Sequence, residues 1–263
     1  MKNAILIFKK EIREIIKNKN IWLPIFIITV MFSIAMPLIF SMISGSIFED
    51  EDTLKFMDKV FGDVENPEMV FINFIIKQFL VFLLMIPAMV PSLIAPASIL
   101  MEKENSTLEP LLATPIRTRE LLLGKALTAM IPAFVISTAN FLILTLVFDI
   151  VIYNRMGYIP LPTADWLVVA FILSPILSFL LTMISVIISS RSTDIRSAQG
   201  IGSVIILPIY LIIGLQVAGF FLINILYLLL ACLVFFIFCP ILLKIAIRIF
   251  DRENILTRWK MKA

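Results

Sequence analysis

Long apolar windows free of Asp, Glu, Lys and Arg recur along the chain, and the longest runs from Ser197 to Leu243. At about 1.5 Å per helical residue this run is roughly 70 Å long, against a bilayer core of about 30 Å, so it must cross, turn and cross back. Gly214, Gln216, Gly219 and Asn224 interrupt its apolar pattern, and a short turn or re-entrant hairpin is expected between Gly214 and Asn224. Four further windows, Ile21–Ile43, Gln78–Met101, Ala126–Phe148 and Trp166–Ser190, are each long enough to cross with some tilt. The pattern therefore predicts an all-α integral membrane protein with six transmembrane helices, at about 21–43, 78–101, 126–148, 166–190, 197–215 and 224–243. Composition agrees, with 60% hydrophobic and 16% charged residues, well outside the range of soluble globular domains.

Lys and Arg orient the spans. With the N-terminus inside, 18 of the 22 basic residues fall on the inner side and only Lys55, Lys59, Lys77 and Arg155 on the outer side. Both termini are thus expected in the cytoplasm, which an even number of spans requires. The chain divides into residues 1–20 and a six-span domain over 21–263, with an acidic outer loop at 44–73 and one sizeable cytoplasmic loop at 102–125. Residues 1–20 do not read as a removable signal peptide, because the apolar run after them is too long and no small-residue cleavage site follows. They predict an amphipathic interfacial helix: Ile5, Phe8, Ile12, Ile15 and Ile16 repeat at helical spacing, with Lys2, Lys9, Lys10, Arg13 and Lys17 elsewhere around it. Such a helix serves as a membrane anchor, or as an anchor that also touches a cytoplasmic partner.

Little in the chain points to catalysis. There is no histidine, which removes the commonest metal ligand and general base. Cys232 and Cys239 are two helical turns apart in one apolar segment, too far for a disulfide, and read as packing residues. No G-x-S-x-G motif and no paired membrane carboxylates are present, so neither catalytic nor metal-binding residues are assigned. Ionisable groups nearly avoid the span interiors, which disfavours a proton relay and shifts weight from a bare cation to an apolar or amphipathic cargo. The acidic run Glu49, Asp50, Glu51 and Asp52 reads first as a solvated face, and second as a device that gathers cations. Prolines punctuate the spans at 24, 37, 87, 91, 96, 132, 175, 208 and 240, each removing a backbone hydrogen bond and tending to kink its helix. Met31, Met36, Met85 and Met89 would either line an adaptable apolar surface or face lipid.

The loop Met101 to Lys125 is the densest in information. Ser106 and Glu109 have the spacing of a helix capping box, Pro110 argues against a long regular helix, and a short helix around Thr107 to Ala113 ending before Pro115 reconciles the two. Thr118 would cap a second helix leading through Leu121, Leu122 and Leu123 into the third span. Leu108, Leu111 and Leu112, flanked by charges, would then present the kind of apolar helix that fits a groove on a soluble protein. Gly124 and Lys125 do not belong to a phosphate loop, since Arg119 and Ala126 occupy the positions where that motif needs Gly and Ser or Thr.

The pattern E-K-E-x-x-T-L-E-x-L-L-x-T-P over 102–115, followed by L-L-x-G-K over 121–125, resembles the first cytoplasmic loop of type-2 ATP-binding-cassette exporter permeases, especially sodium-export and multidrug-type permeases. In that family the loop carries the coupling helix that inserts into a separate ATPase. The resemblance implies that Glu102, Glu104, Thr107, Leu108, Glu109, Leu111 and Leu112 form this helix, and that Thr114, Pro115, Gly124 and Lys125 fix the return into the third span. It also implies a dimer with a second permease copy, identical or paralogous, in a prokaryotic plasma membrane. ATP and Mg would be bound by the cytosolic ABC ATPase subunit, with no cofactor in this chain and no nucleic-acid partner. The alternatives are a stand-alone secondary transporter or channel, which inverted repeats would favour and none are visible, and a membrane-embedded enzyme. No residue pattern marks a substrate site.

Overall fold

The computed structural model describes residues 2–39, 67–104, 116, 118–191, 200, 207, 211, 214–216 and 224–249. All regular structure among them is helical: α1 Lys2–Lys17, α2 Lys19–Val30, α3 Pro67–Phe82, α4 Met85–Glu104, α5 Thr118–Met156, α6 Ala164–Val168, α7 Ser174–Arg191 and α8 Ile225–Ile249, with π-helical turns at Met31–Ala35 and Val169–Leu173. Among the described residues five stretches are long and apolar enough to span a bilayer: Ile21–Ile39, Ile72–Leu100, Thr118–Asn154, Ala164–Ser190 and Ile225–Ile249. The chain is a multispanning all-α membrane protein. The expected span at 197–215 falls almost wholly outside the described residues, so five spans stand where six were expected. Within it residues 200, 207, 211, 214 and 215 are described, all of them helical.

Several expected ends shift, because charges truncate a hydropathy window without ending a helix. The helix of the third span begins at Thr118, not at Ala126, and continues beyond Phe148 to Met156. Arg119, Glu120 and Lys125 closed the window but sit within regular α-helix. The stretch expected as outer loop up to residue 73 is helical from Pro67 onward.

Proline effects are selective. Pro87 coincides with the break between α3 and α4, where Leu84 N–H donates to the Val81 carbonyl in a tight turn and Pro87 takes a place in the first turn of α4. The two π-turns each end two residues before a proline, Pro37 and Pro175. There the helix absorbs the missing donor by widening. Pro24, Pro91, Pro96, Pro132 and Pro240 lie inside continuous helices. Pro91 frees the Pro87 carbonyl four residues back, and the buried Ser178 hydroxyl, which donates to the Ser174 carbonyl at 2.8 Å, shares its hydrogen with it at 3.2 Å. A neighbouring helix thus partly compensates the orphaned acceptor.

α4 packs most extensively against α7, with α5 against both and α8 along α7. Two side-chain clusters hold the bundle, one toward each end. The cluster beside the loop joins Ile94 and Ile99 of α4, Leu122 and Ala126 of α5, and Val186 of α7 to Ile7 of α1. At the opposite end Phe79, Phe148 and Trp166 interlock, the Phe79 and Phe148 rings edge-to-face at 4.8 Å. In lipid such packing, with interhelical hydrogen bonds, replaces hydrophobic burial as the source of association. Cys232 is buried in this second cluster and Cys239 is half-buried, both as free thiols. Met85 is buried, Met89 half-buried, and Met31 and Met36 exposed.

Beyond α5, Gly157 adopts a left-handed φ of +72° and its N–H donates to the Tyr153 carbonyl, ending the helix in the way only glycine does without strain. The Asp149 carboxylate accepts a hydrogen bond from Leu161 N–H at 3.1 Å, pinning the returning loop to α5. Gln216 is fully buried and its amide donates to the Lys77 carbonyl at 2.9 Å, while Gln78 donates to the Gln216 carbonyl at 3.3 Å. These bonds tie the 214–216 turn to α3.

Candidate functional site: a buried ion cluster beside the loop

α1 lies against α5 and α4, not alone in the interface. Its buried residues are Ala4, Ile7, Glu11 and Ile15, while Ile5, Leu6 and Ile16 are exposed and Phe8 and Ile12 half-buried. Of the Ile5, Phe8, Ile12, Ile15 and Ile16 stripe expected from periodicity, only Ile15 shares the buried, protein-facing side with Ala4, Ile7 and Glu11. The cause is a close approach: a Cβ added at Gly124 would lie 2.9 Å from Ile7 Cβ and 3.0 Å from the Ala4 carbonyl oxygen. The missing side chain of Gly124 and the small one of Ala4 let the two backbones meet there.

One turn further along this contact lies a buried charge cluster. Lys125 Nζ is 2.7 Å from Glu11 Oε1 of α1 and 2.7 Å from Glu102 Oε2 of α4, and donates to Ser98 Oγ of α4 at 3.1 Å. Ser98 in turn donates to Glu11 Oε2 at 2.8 Å. The ammonium thus donates hydrogen bonds to Glu11 and Ser98 and forms an ion pair with Glu102, and both Glu11 oxygens are engaged. The three charged side chains are 1%, 4% and 6% exposed, so water contributes almost nothing to their solvation. Isolated charges at such depth would be very costly, and it is the mutual pairing that makes the arrangement tenable.

The cluster carries two carboxylates against one ammonium. Burial pushes the Glu102 carboxyl above its ordinary range, Lys125 pulls against that, and Glu11 adds to it. The sign of the linkage follows. With a folded-state pKa above the ordinary carboxyl value of 4.5, the folded protein holds more protons between the two values, so stability falls as pH rises through that interval. Glu102→Gln is neutral at every pH. The melting temperature of wild type relative to Glu102→Gln is expected to fall as pH is raised from about 4.5; a flat or rising difference in a pH series of thermal melts would contradict this.

Sequence reading named Glu102, Gly124 and Lys125 as parts of a partner-facing loop. The structure brings all three together, facing α1, and buries Glu102 and Lys125. α5 starts at Thr118, so Gly124 and Lys125 lie nearly two turns inside it and do not themselves make the return. Glu104 is the last residue of α4. Thr107, Leu108, Glu109, Leu111, Leu112, Thr114 and Pro115 lie outside the described residues, as does the short helix expected there. Glu11 and Ser98 were missed. The available signal was an acidic residue, Glu11, on one stripe with the apolar Ala4, Ile7 and Ile15.

The junction to the first span is equally built. Trp22 Nε1–H donates to the Ile15 carbonyl at 3.0 Å and Asn18 N–H to the same oxygen at 2.9 Å, turning α1 directly into α2. Among the described residues no group of His, Cys, Asp or Glu is arranged to hold a metal ion.

A bundle of lipid-length helices, with α1 clamped across the stems of one loop, is the build of a membrane permease-type protein. Residues 5–229 match the family described as ABC-2 family transporter protein, and the chain belongs to that family. No curated protein and no solved structure matches it. Membership implies pairing with a cytosolic ATPase subunit and a non-catalytic role for this chain.

Proposed function

We propose that this chain is the membrane-spanning permease of an ATP-driven exporter in a prokaryotic plasma membrane, with both termini and the 102–125 loop in the cytoplasm. Two copies, identical or paralogous, enclose the pathway. A separate ABC ATPase, which binds the ATP and Mg, docks on the loop through Glu104, Thr107, Leu108, Glu109, Leu111 and Leu112, with Thr114 and Pro115 shaping the return. Glu102, Gly124 and Lys125 act from beneath, holding the stems of that loop. The observation that carries this reading is the clamped pair of stems, α4 ending at Glu104 and α5 starting at Thr118, in a chain of this family. A docking element transmits force only if its supports are stiff, and Lys125 bonded to α4 supplies that stiffness.

The test is affinity purification of the tagged permease from its native host. An ABC ATPase is expected at near-equal amount, and Glu109→Lys or Leu111→Asp is expected to reduce it at least tenfold while the permease still inserts. A charge reversal or a buried Asp in the centre of such an interface costs more than the roughly 1.4 kcal/mol that a tenfold loss requires. A permease that purifies free of any ATPase, and carries gradient-driven flux alone in liposomes, would establish the stand-alone transporter instead.

A further inference from the structure

We propose that Glu11, Ser98 and Lys125 form a clasp that makes α1 a working part of the coupling apparatus, so that movement imposed on the loop is delivered through α1 to the first span. The inference rests on the ATPase-coupled reading above and adds to it a route and three positioning residues.

The geometry distinguishes the two carboxylates. Glu102 joins α4 to α5 through Lys125, and those helices already pack along much of their length. Glu11 is different, because it reaches across from α1 with one oxygen on Lys125 of α5 and the other on Ser98 of α4. It is the only charged residue on the buried stripe of α1, which otherwise offers Ala4, Ile7 and Ile15. Cutting Glu102 leaves α1 attached at Glu11, whereas cutting Glu11 leaves α1 resting on three apolar side chains. The far end of α1 passes into α2 through the Trp22 and Asn18 hydrogen bonds on Ile15, so a displacement of α1 is handed to the first span without slack. The first span itself is mostly exposed along its length, with Leu23, Phe26, Ile27 and Met31 facing outward, and it meets the rest of the bundle at its π-turn on α5, through α2 on α4 and through Phe32 stacked on Phe82. Contiguous packed elements with discrete polar links are the physical form in which such coupling travels.

The experiment uses the full permease with its co-purified ATPase in proteoliposomes, carrying a spin label on a cysteine at the exposed position 13 of α1, with Cys232 and Cys239 replaced by Ala. Three readouts are taken: ATPase bound, permease-dependent ATP hydrolysis, and the change in label mobility between nucleotide-free and vanadate-trapped states. Glu11→Gln is expected to retain the ATPase, lose at least fivefold in permease-dependent hydrolysis and abolish the label response, with Ser98→Ala intermediate. Glu102→Gln, which loosens α4 from α5 but leaves α1 attached at Glu11, should keep a label response and lose less hydrolysis than Glu11→Gln. The exchange Glu11→Lys with Lys125→Glu keeps the cluster's composition, and is expected to recover part of what Glu11→Lys alone loses. Full coupling in Glu11→Gln with an undiminished label response would overturn the clasp, as would equal losses in Glu11→Gln and Glu102→Gln. Loss of ATPase binding in Glu11→Gln also overturns it, since α1 would then build the docking surface instead of transmitting from it. A wild-type permease with no ATPase bound would refute the exporter reading itself, which is a separate result.

Discussion

Lys125→Met is expected to destabilise the solubilised permease by about 3–5 kcal/mol, read as a fall in melting temperature or in the midpoint of denaturant unfolding. Methionine matches the length of the lysine stem but supplies no charge and no donor. Glu11 and Glu102 would then share a pocket without a cation, and Ser98 would lose one of its partners. A carboxylate stranded at this depth either pays its desolvation in full or takes up a proton, and two of them also repel each other. The diagnostic comparison is the triple variant Glu11→Gln, Lys125→Met, Glu102→Gln. It removes every charge at once and is expected to recover to within about 1 kcal/mol of wild type, because replacing a whole buried ion group costs far less than breaking it. A Lys125→Met protein as stable as wild type would show that the cluster is solvated, contrary to its burial. A triple variant no better than the single would show that lost side-chain packing, not stranded charge, causes the effect.

The recovery expected of the triple variant also separates stability from function. If the clasp transmits movement, the triple variant folds yet couples poorly, since Gln and Met cannot hold α1 with the same stiffness. Ionic groups of this kind contribute little to stability relative to apolar replacements, and their retention at one defined joint is better explained by what they hold in register.

Hydropathy and charge located the helices well and their ends poorly. The third span illustrates why: a charge-free window records where side chains can face lipid, whereas helix termini are set by backbone hydrogen bonding, which ignores Arg119, Glu120 and Lys125. Lys77 likewise closed the second window although α3 runs from Pro67 past it to Phe82. Prolines were visible in the sequence, but whether each broke, widened or left its helix intact depended on neighbours such as Ser178 that periodicity does not place.

The candidate site was legible by halves. Glu102, Gly124 and Lys125 stood out because they fall in one dense motif. Their orientation was not legible, because motif position does not say which side of a helix another helix will cover. Glu11 was hidden for a related reason. α1 has apolar residues on two sides, Ile5, Leu6 and Ile16 on one and Ala4, Ile7 and Ile15 on the other, so its periodicity admits more than one buried face. The choice is made by steric fit to Gly124, which belongs to a helix more than a hundred residues away in sequence.

That fit carries the second large effect. Gly124→Val is expected to cost about 3–5 kcal/mol, more than overpacking alone, which is about 1–3 kcal/mol. The first methyl-sized atom already lies 2.9 Å from Ile7 Cβ and 3.0 Å from Ile7 Cγ2, and Val adds two more. A rotamer change at Ile7 can withdraw Cγ2 but not Cβ, and the Ala4 carbonyl oxygen at 3.0 Å is backbone, so the contacts with Ile7 Cβ and the Ala4 oxygen are relieved only if α1 moves. Lifting α1 opens the 2.7 Å contact between Glu11 and Lys125, whose hydrogen-bond energy falls steeply with separation. The substitution therefore breaks the clasp without touching any of its members. Two consequences distinguish this route from a local clash. Ile7→Ala should recover only part of the loss, because the contact with the Ala4 oxygen persists. Gly124→Val combined with Lys125→Met should cost clearly less than the two added together, since each disrupts the same cluster. Strict additivity in unfolding measurements would mean that α1 stays seated when Gly124 is filled, and that the close approach and the ion cluster are independent features of the fold.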